Sequence, residues 1–402
     1  MKNYKQHNIY FFTTLLFIIF GLFSYYNFRF ENNLEQLVVL RNKKDLAVNF
    51  KIEKTLIYYI VSFIVFYIVS FKDYHLKSDN KKIKDNKKLD LMIMMIIILN
   101  YYYTIRFGLG LSNNVVYQTD LIHKIIAIFL NRLNMNSFFY IYMCLQKKNT
   151  TKYIINVILF VILNLLRGWS GFLLVIILIL LYKKIKGRIS FSKTFKLSLL
   201  SLLLIKLYQY VDSFKYYIRI GVFGEKKNII ESIIKFSNRL SGLYDLYFIQ
   251  YYDSIYINLF EKYYSNFNFL KEHIVYLIPL KNTTGYISSG HILQHAVYGH
   301  KIPSVNGLGG IFGILLLIYK VSKIEFIITI FIIIGLYKLT LFILKKIQNK
   351  ALNFIYFYFW LNFIQSGNVS SLFVNVTNLI IFYIIYSKFI NKKINYNSKV
   401  YA

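Results

Sequence analysis

The chain alternates long apolar runs with short polar segments from one end to the other. An apolar run of about 20 residues, folded as a helix, crosses a hydrocarbon core of about 30 Å. The pattern therefore predicts an all-α, polytopic transmembrane helical bundle of about 10–12 spans. The apolar runs are residues 9–26, 55–71, 89–105, 136–146, 153–166, 169–182, 195–210, 308–320, 324–344, 351–366 and 370–387.

The composition strengthens this interpretation. Of the 402 residues, 56% are hydrophobic, and the mean hydropathy is +0.46, which a soluble domain of this length does not need. The net charge of +32 would indicate a nucleic-acid partner in a soluble protein. Here much of the lysine lies in short loops between apolar runs, so we expect a lipid bilayer and no nucleic acid as a partner. The single cysteine, Cys144, excludes a disulfide framework and a paired-cysteine metal site.

The lysines also orient the first half of the chain, because positively charged loops stay on the cytoplasmic side. Residues 9–26 follow Lys2 and Lys5 and lack an Ala-x-Ala cleavage pattern, so we expect a retained first span in the cell's inner (cytoplasmic) membrane. The cytoplasmic segments are then 71–88, 147–152 and 183–188, and the outer segments are 27–54, 106–135, the turn at 167–168, and 211–307.

The predicted organisation has three parts. Residues 1–210 form the N-terminal transmembrane helices, 211–307 form a large, helical outer loop, and 308–402 form the C-terminal transmembrane helices. In the last part, simple alternation puts the basic segment 345–350 outside, against the charge rule. Either one run between 308 and 344 is re-entrant, or the number of spans differs by one.

Residues 119–133 predict an amphipathic helix on the outer interface. One face is polar and the other consists of Ile, Leu and Phe; the polar residues are Asp120, His123, Lys124, Asn131 and Arg132. The alternative is an ordinary span whose polar face points into the bundle.

The long outer segment concentrates the chain's polar chemistry. It holds ten of the Lys and Arg residues, seven of the 17 acidic residues, four of the seven histidines and both prolines. Loops of this length in compact proteins are usually functional. Its aromatic content argues against disorder.

Three arginines are candidate ligands for a phosphate-containing substrate. Arg167 lies between two apolar runs, and Arg219 and Arg239 lie in the outer segment. Guanidinium groups bind phosphate oxygens through paired donors, so the three together predict a clamp for a diphosphate. The alternative for Arg167 is that its side chain extends to the lipid headgroups.

Candidate general bases lie in the same outer segment. Of the seven acids there, four are candidates for the base: Glu231 and Asp245, which we prefer, and Glu225 and Asp253. His291 and His295 stand four residues apart, on one face of a predicted helix. Ile292 replaces the glutamate of a zinc-protease HExxH motif, so we expect no metal. These histidines are candidates for a base or a phosphate donor, or they serve structural hydrogen bonding.

The glycine-rich stretch SVNGLGGIFG at 304–313 does not follow a predicted strand, which excludes a dinucleotide fingerprint. Its glycines instead predict a close approach of a helix start to another helix or to a ligand headgroup.

Taken together, these features resemble the Wzy family of O-antigen and capsular repeat-unit polymerases. The resemblance covers about 90–385 and rests on the Arg-Gly step at 167–168, the segment SNRLSGLYDLYFI at 237–249, and the glycine-rich entry SVNGLGGIFGILLLIYK at 304–320. It implies a GT-C-like polymerase/ligase architecture with one large outer loop.

The resemblance also implies a reaction. Members of this family transfer a growing glycan from undecaprenyl diphosphate to the next lipid-linked repeat, outside the membrane, without a cofactor. Arg167, Arg219 and Arg239 would then lie near the diphosphate, and His291 or His295 would match the loop where related ligases use a histidine. A chain-length regulator and a flippase are the implied partners.

Three other functions compete with this one. A flippase or other transporter would show repeated halves and polar residues near the midplane. Another lipid-sugar glycosyltransferase would place an acidic pair in the first outer loop, but Glu31, Glu35, Asp45 and Glu53 form no Asp-x-Asp pattern. An O-antigen ligase differs only in its acceptor.

Overall fold

The computed structural model describes residues 4–30, 51–74, 87–110, 120–146, 150–169, 171–184 and 310–387, with scattered residues between 209 and 250. Within these ranges all regular secondary structure is helical. The helices with defined ends are α1 (Tyr4–Phe30), α2 (Lys51–Tyr74), α3 (Lys87–Phe107), α4 (Leu121–Arg132), α5 (Met135–Leu145), α6 (Thr151–Leu166), α7 (Phe172–Lys184), α8 (Gly310–Val321), α9 (Lys323–Ile347), α10 (Lys350–Ser366) and α11 (Val369–Ile385).

Every apolar run predicted within these ranges coincides with a helix, and the predicted amphipathic segment is α4. Capping residues set some of the ends. The Asn134 side chain accepts hydrogen bonds from the backbone N–H groups of Asn136 and Ser137 at the start of α5, and Thr150 accepts one from Tyr153 N at the start of α6.

Four of the described helices are long and apolar enough to cross a membrane, which supports a membrane protein. Their apolar windows are Ile9–Tyr26, Glu53–Phe71, Lys88–Phe107 and Lys323–Ile347, and Met135–Leu145, Thr151–Leu166, Gly310–Val321 and Ser371–Ile385 form shorter apolar helices. The prediction of 10–12 spans and of a large outer loop stays a prediction, because most of 211–307 and of the run 195–210 lies outside the described residues.

The chain forms two compact units. The first comprises residues 1–75, 227–337 and 357–373, and the second comprises 76–226, 338–356 and 374–402.

In the first unit α1 packs along α2 through aromatic side chains. The Tyr59 hydroxyl donates to the Phe17 carbonyl oxygen at 2.9 Å, and the Phe17 and Phe63 rings stack at 5.4 Å. Gly21 makes this approach possible, because a Cβ at that position would overlap the Tyr59 ring.

Helix α8 begins at a similarly close contact in the first unit. Gly310 has a φ of +74°, and a Cβ there would lie 2.6 Å from the Ile364 carbonyl oxygen at the end of α10. The predicted close approach of the glycine-rich stretch to another helix is confirmed at this residue.

The second unit is built on α3, which packs against α5 and α6, while α5 also packs against α7. The Phe139 and Phe160 rings stack at 3.9 Å between α5 and α6, and the Tyr101 hydroxyl donates to the Leu159 carbonyl oxygen at 2.8 Å. This packing fixes α6, and therefore the residues at its end, against α3.

Helix α10 is enclosed by protein. Every residue from Ala351 to Ser366 is buried, apart from the half-buried Asn362.

Candidate functional site

The candidate site begins where α6 ends, in the sequence Asn-Leu-Leu-Arg-Gly-Trp. Gly168 has a φ of +67°, and its N–H donates to the Leu165 carbonyl oxygen while Trp169 N–H donates to the Asn164 carbonyl oxygen. This pair of bonds is a Schellman motif, which favours glycine at the residue after the helix. Arg167 is the C-cap residue of α6, and it directly precedes this glycine.

The Arg167 side chain crosses from α6 to α3 and is buried, with only 4% of its surface exposed. Its Nε donates to Thr104 Oγ1 at 3.0 Å, and its Nη2 donates to Asn100 Oδ1 at 2.8 Å. The guanidinium carbon also lies 5.7 Å from the centre of the Trp169 ring, within the range of a cation–π interaction. The alternative that Arg167 extends to the lipid headgroups is therefore wrong.

The turn after α3 completes the surroundings of this arginine. Thr104 Oγ1 donates to the Leu109 carbonyl oxygen at 3.0 Å, which ties the turn to the helix. Gly110 has a φ of +77°, and a Cβ there would lie 3.0 Å from Arg167 Nε and 3.2 Å from Cζ. Glycine is thus favoured at 110 both by the backbone conformation and by the space that the guanidinium takes.

A histidine lies beside this site. His123 of α4 bonds through Nδ1 to the hydroxyl of Tyr103 at 3.0 Å, and Tyr103 directly precedes Thr104. Its Nε2 is 3.9 Å from a carboxylate oxygen of Asp120. The predicted polar face of α4 is therefore partly engaged with α3.

We refer to Asn100, Thr104, Gly110, Arg167 and Trp169 as the arginine site. Only Arg167 is identified by sequence reasoning. The sequence carries a signal for two of the others, because Asn100 and Thr104 are polar residues one helical turn apart in the second half of an apolar run.

Glu231 is the only other predicted site residue that the structure describes, and it is exposed and helical. Arg219, Arg239, Asp245, His291 and His295 lie outside the described residues. The clamp of three arginines and the assignment of the base stay predictions. Among the described residues there is no group of three or more His, Cys, Asp or Glu that could hold a metal ion.

A second buried polar cluster lies at the N-terminal end of α3, where it joins α3 to α5 and α6. Asp90, in the first turn of α3, accepts hydrogen bonds from the Tyr142 hydroxyl at 2.8 Å and from the Gln146 side-chain amide. Asn156 Nδ2 donates to the Asp90 carbonyl oxygen at 3.0 Å. Lys183 of α7 donates to the Gln146 carbonyl oxygen at 2.5 Å, near the end of α5.

These hydrogen bonds join α3, α5, α6 and α7, and we refer to this cluster as the helix clamp. Asp90 places a negative charge at the start of α3, and Lys183 places a positive charge at the last carbonyl groups of α5. Both charges complement the dipole of the helix that they meet. Asp90 precedes Thr104 by 14 residues, so the helix clamp lies about 21 Å along α3 from the arginine site. The two polar clusters therefore fix α3 near both of its ends.

Comparison of the chain with protein-family models, with curated proteins and with solved structures gave no match.

Proposed function

We propose that the protein is an oligosaccharide repeat-unit polymerase of the cytoplasmic membrane, which transfers a growing glycan from undecaprenyl diphosphate to the acceptor repeat on the outer side. The observation that carries this proposal is the arginine site, in which the other residues hold the guanidinium group of Arg167 in one position at the end of an apolar helix. The proposal retains 10–12 spans, a GT-C-like architecture and a large outer loop.

The charge distribution supports an outer position for this site. Helix α6 begins within the basic segment 147–152, and the last turn of α7 carries Lys183 and Lys184. By the positive-inside rule both of these ends are cytoplasmic, so the turn at 167–168 between the two helices is on the opposite side. A lipid-linked glycan is polymerised on that side.

The geometry of Arg167 supports binding of negative charge. Two of its donors are held by oxygens of α3, and the indole of Trp169 lies against it, so the guanidinium is preorganised. Burial places the charge in a medium of low dielectric constant, where its field is stronger than in water. Fixed positive charge of this kind stabilises a leaving group as its negative charge develops.

In the proposed reaction the acceptor hydroxyl attacks the anomeric carbon of the donor glycan. The new glycosidic C–O bond forms as the bond from that carbon to the diphosphate oxygen breaks, and the diphosphate leaves with the electron pair. A base among His291, His295, Glu231 and Asp245 takes the hydroxyl proton. Arg219 and Arg239 would contact the diphosphate, and Arg167 would add the fixed charge beside it.

The test compares the surface polysaccharide of cells that carry the intact gene, no gene, or Arg167→Ala at equal membrane expression. Arg106→Ala is the matched control, because Arg106 lies in the last turn of α3 but is exposed. We expect deletion to reduce the ladder of chain lengths to single repeats, and we expect Arg106→Ala but not Arg167→Ala to restore the ladder. Arg167→Lys should fail as well, since an ammonium cannot reproduce the two directed bonds of the guanidinium.

Other outcomes would identify another function. Full-length polymer that accumulates on the lipid carrier while surface glycan disappears would show a ligase. Single lipid-linked repeats trapped on the cytoplasmic side would show a transporter. A ladder restored by Arg167→Ala would remove the arginine site from the reaction.

A further inference from the structure

Helix α4 carries an exposed apolar stripe. Leu121, Ile122, Ile125 and Phe129 are 58% to 73% exposed. At 3.6 residues per turn these four side chains fall within about 100° of the helix circumference. We refer to them as the α4 stripe.

The other side of α4 is attached to one end of α3. His123 bonds to Tyr103, and Ile126, Ala127 and Leu130 pack in one cluster with Tyr103, Phe107 and Leu109. The α4 residues in this set extend over about two turns of helix, whereas their partners are confined to the last turn of α3 and the turn after it. Helix α4 therefore lies across the end of α3 and does not run alongside it.

The length of α4 agrees with this placement. Its 12 residues make a helix of about 18 Å, which is too short to cross a hydrocarbon core of about 30 Å.

The α4 stripe continues an apolar surface of α3. Met95, Ile98, Tyr102 and Ile105 are exposed by 51% to 75% and recur at the spacing of one helix face. Because α3 is long and apolar enough to cross a membrane, this face is the one that would meet lipid. The ring contacts of Tyr102 with Phe107, and of Phe107 with His123, join that face to α4.

We propose that α4 lies along the membrane surface at the C-terminal end of α3, with the α4 stripe inserted among the acyl chains of the bilayer lipids. Asp120, which is 80% exposed, then marks the side of the helix that meets water. The proposal does not depend on the polymerase function, because it concerns only the position of α4 relative to lipid.

Spin labels at single cysteines test the placement in the full-length protein, reconstituted into vesicles of phosphatidylcholine and phosphatidylglycerol. Labels replace Leu121, Ile125 and Phe129 in the stripe, with Asp120→Cys as the matched polar control and Ile98→Cys as the lipid-facing reference. Cys144→Ala supplies the background; if it lowers the yield, native Cys144 is kept, since it is only 3% exposed. Collision rates are measured with oxygen, which concentrates in lipid, and with a water-soluble nickel complex.

We expect labels in the stripe to collide more often with oxygen than with nickel, as at Ile98, and the label at Asp120 to show the reverse. The depths derived for 121 and 129 should agree, since an upright helix would separate these positions by about 12 Å. Nickel-accessible stripe labels would show that α4 stands in water, and labels shielded from both reagents would show that protein covers it. Either result, or a depth difference near that of an upright helix, would overturn the proposal.

Discussion

The hydroxyl of Thr104 links Arg167 to the turn that ends α3, so Thr104→Val removes two interactions without a change in volume. The oxygen accepts from Arg167 Nε at 3.0 Å and donates to the Leu109 carbonyl oxygen at 3.0 Å. A hydrogen bond to a charged group contributes about 1.5–3 kcal/mol, and one between neutral groups about 0.5–1.5 kcal/mol. We therefore expect Thr104→Val to lower the free energy of unfolding by about 2–4.5 kcal/mol.

Thr13→Val is the matched control for this substitution. Thr13 is similarly buried, and its hydroxyl donates to the Ile9 carbonyl oxygen at 2.7 Å within the same helix. Side-chain hydrogen bonds between different membrane helices average about 0.6 kcal/mol, and the Thr13 bond stays within its own helix, so the control should lose no more than about 1 kcal/mol. Unfolding is followed by far-UV circular dichroism in mixed micelles of increasing denaturing-detergent content.

A double-mutant cycle attributes the loss to the arginine. If Thr104 acts through Arg167, Thr104→Val should cost much less in an Arg167→Met background, with a coupling free energy of at least about 1 kcal/mol. Equal losses for Thr104→Val and Thr13→Val, or a coupling below about 0.3 kcal/mol, would refute the reasoning.

Two further pairs of variants test the close approach at the arginine site and the helix clamp at the other end of α3. Gly110→Ala should lower stability more than Gly221→Ala does. Both glycines have φ near +77°, which costs a non-glycine residue about 1–2 kcal/mol. Of the two positions, only 110 would bring the new Cβ against other atoms, those of the Arg167 side chain. Thermal denaturation in detergent measures the difference, and equal shifts would show that the guanidinium moves aside without cost. Tyr142→Phe should cost about 1–1.5 kcal/mol more than Tyr101→Phe, because the Tyr142 hydroxyl donates to the Asp90 carboxyl and the Tyr101 hydroxyl to a backbone carbonyl. Detergent-induced unfolding compares the two, and a Tyr142→Phe protein as stable as its control would contradict the helix clamp.

The helices could be predicted from the sequence because each apolar run is a local signal. The first residues of α5 and α6 follow from Asn134 and Thr150, because the side chains of these two residues cap the starts of the helices. Asparagine and threonine are common at this position. Gly168 marks the end of α6 in the same way. All of this information lies within a few residues of the feature that it determines.

The arginine site depends on contacts that no local pattern contains. Arg167 pairs with Thr104 and Asn100, which precede it by 63 and 67 residues. A long side chain at a helix end turns to protein instead of lipid when the neighbouring helix has hydrogen-bond acceptors within its reach. The same applies to His123, whose polar position on α4 is visible in the sequence while its bond to Tyr103 is not.

The enclosure of α10 has a consequence for how the protein is made. This helix is surrounded by protein along nearly its whole length, and it carries Asn353, Asn362 and Gln365 among its aromatic residues. Polar side chains in a bilayer interior are unfavourable unless other groups meet them. If α10 crosses the membrane, as we propose, it depends during synthesis on helices that have already entered the membrane to receive it. Early truncations of the chain should impair the insertion of this late segment, even where its own residues are intact.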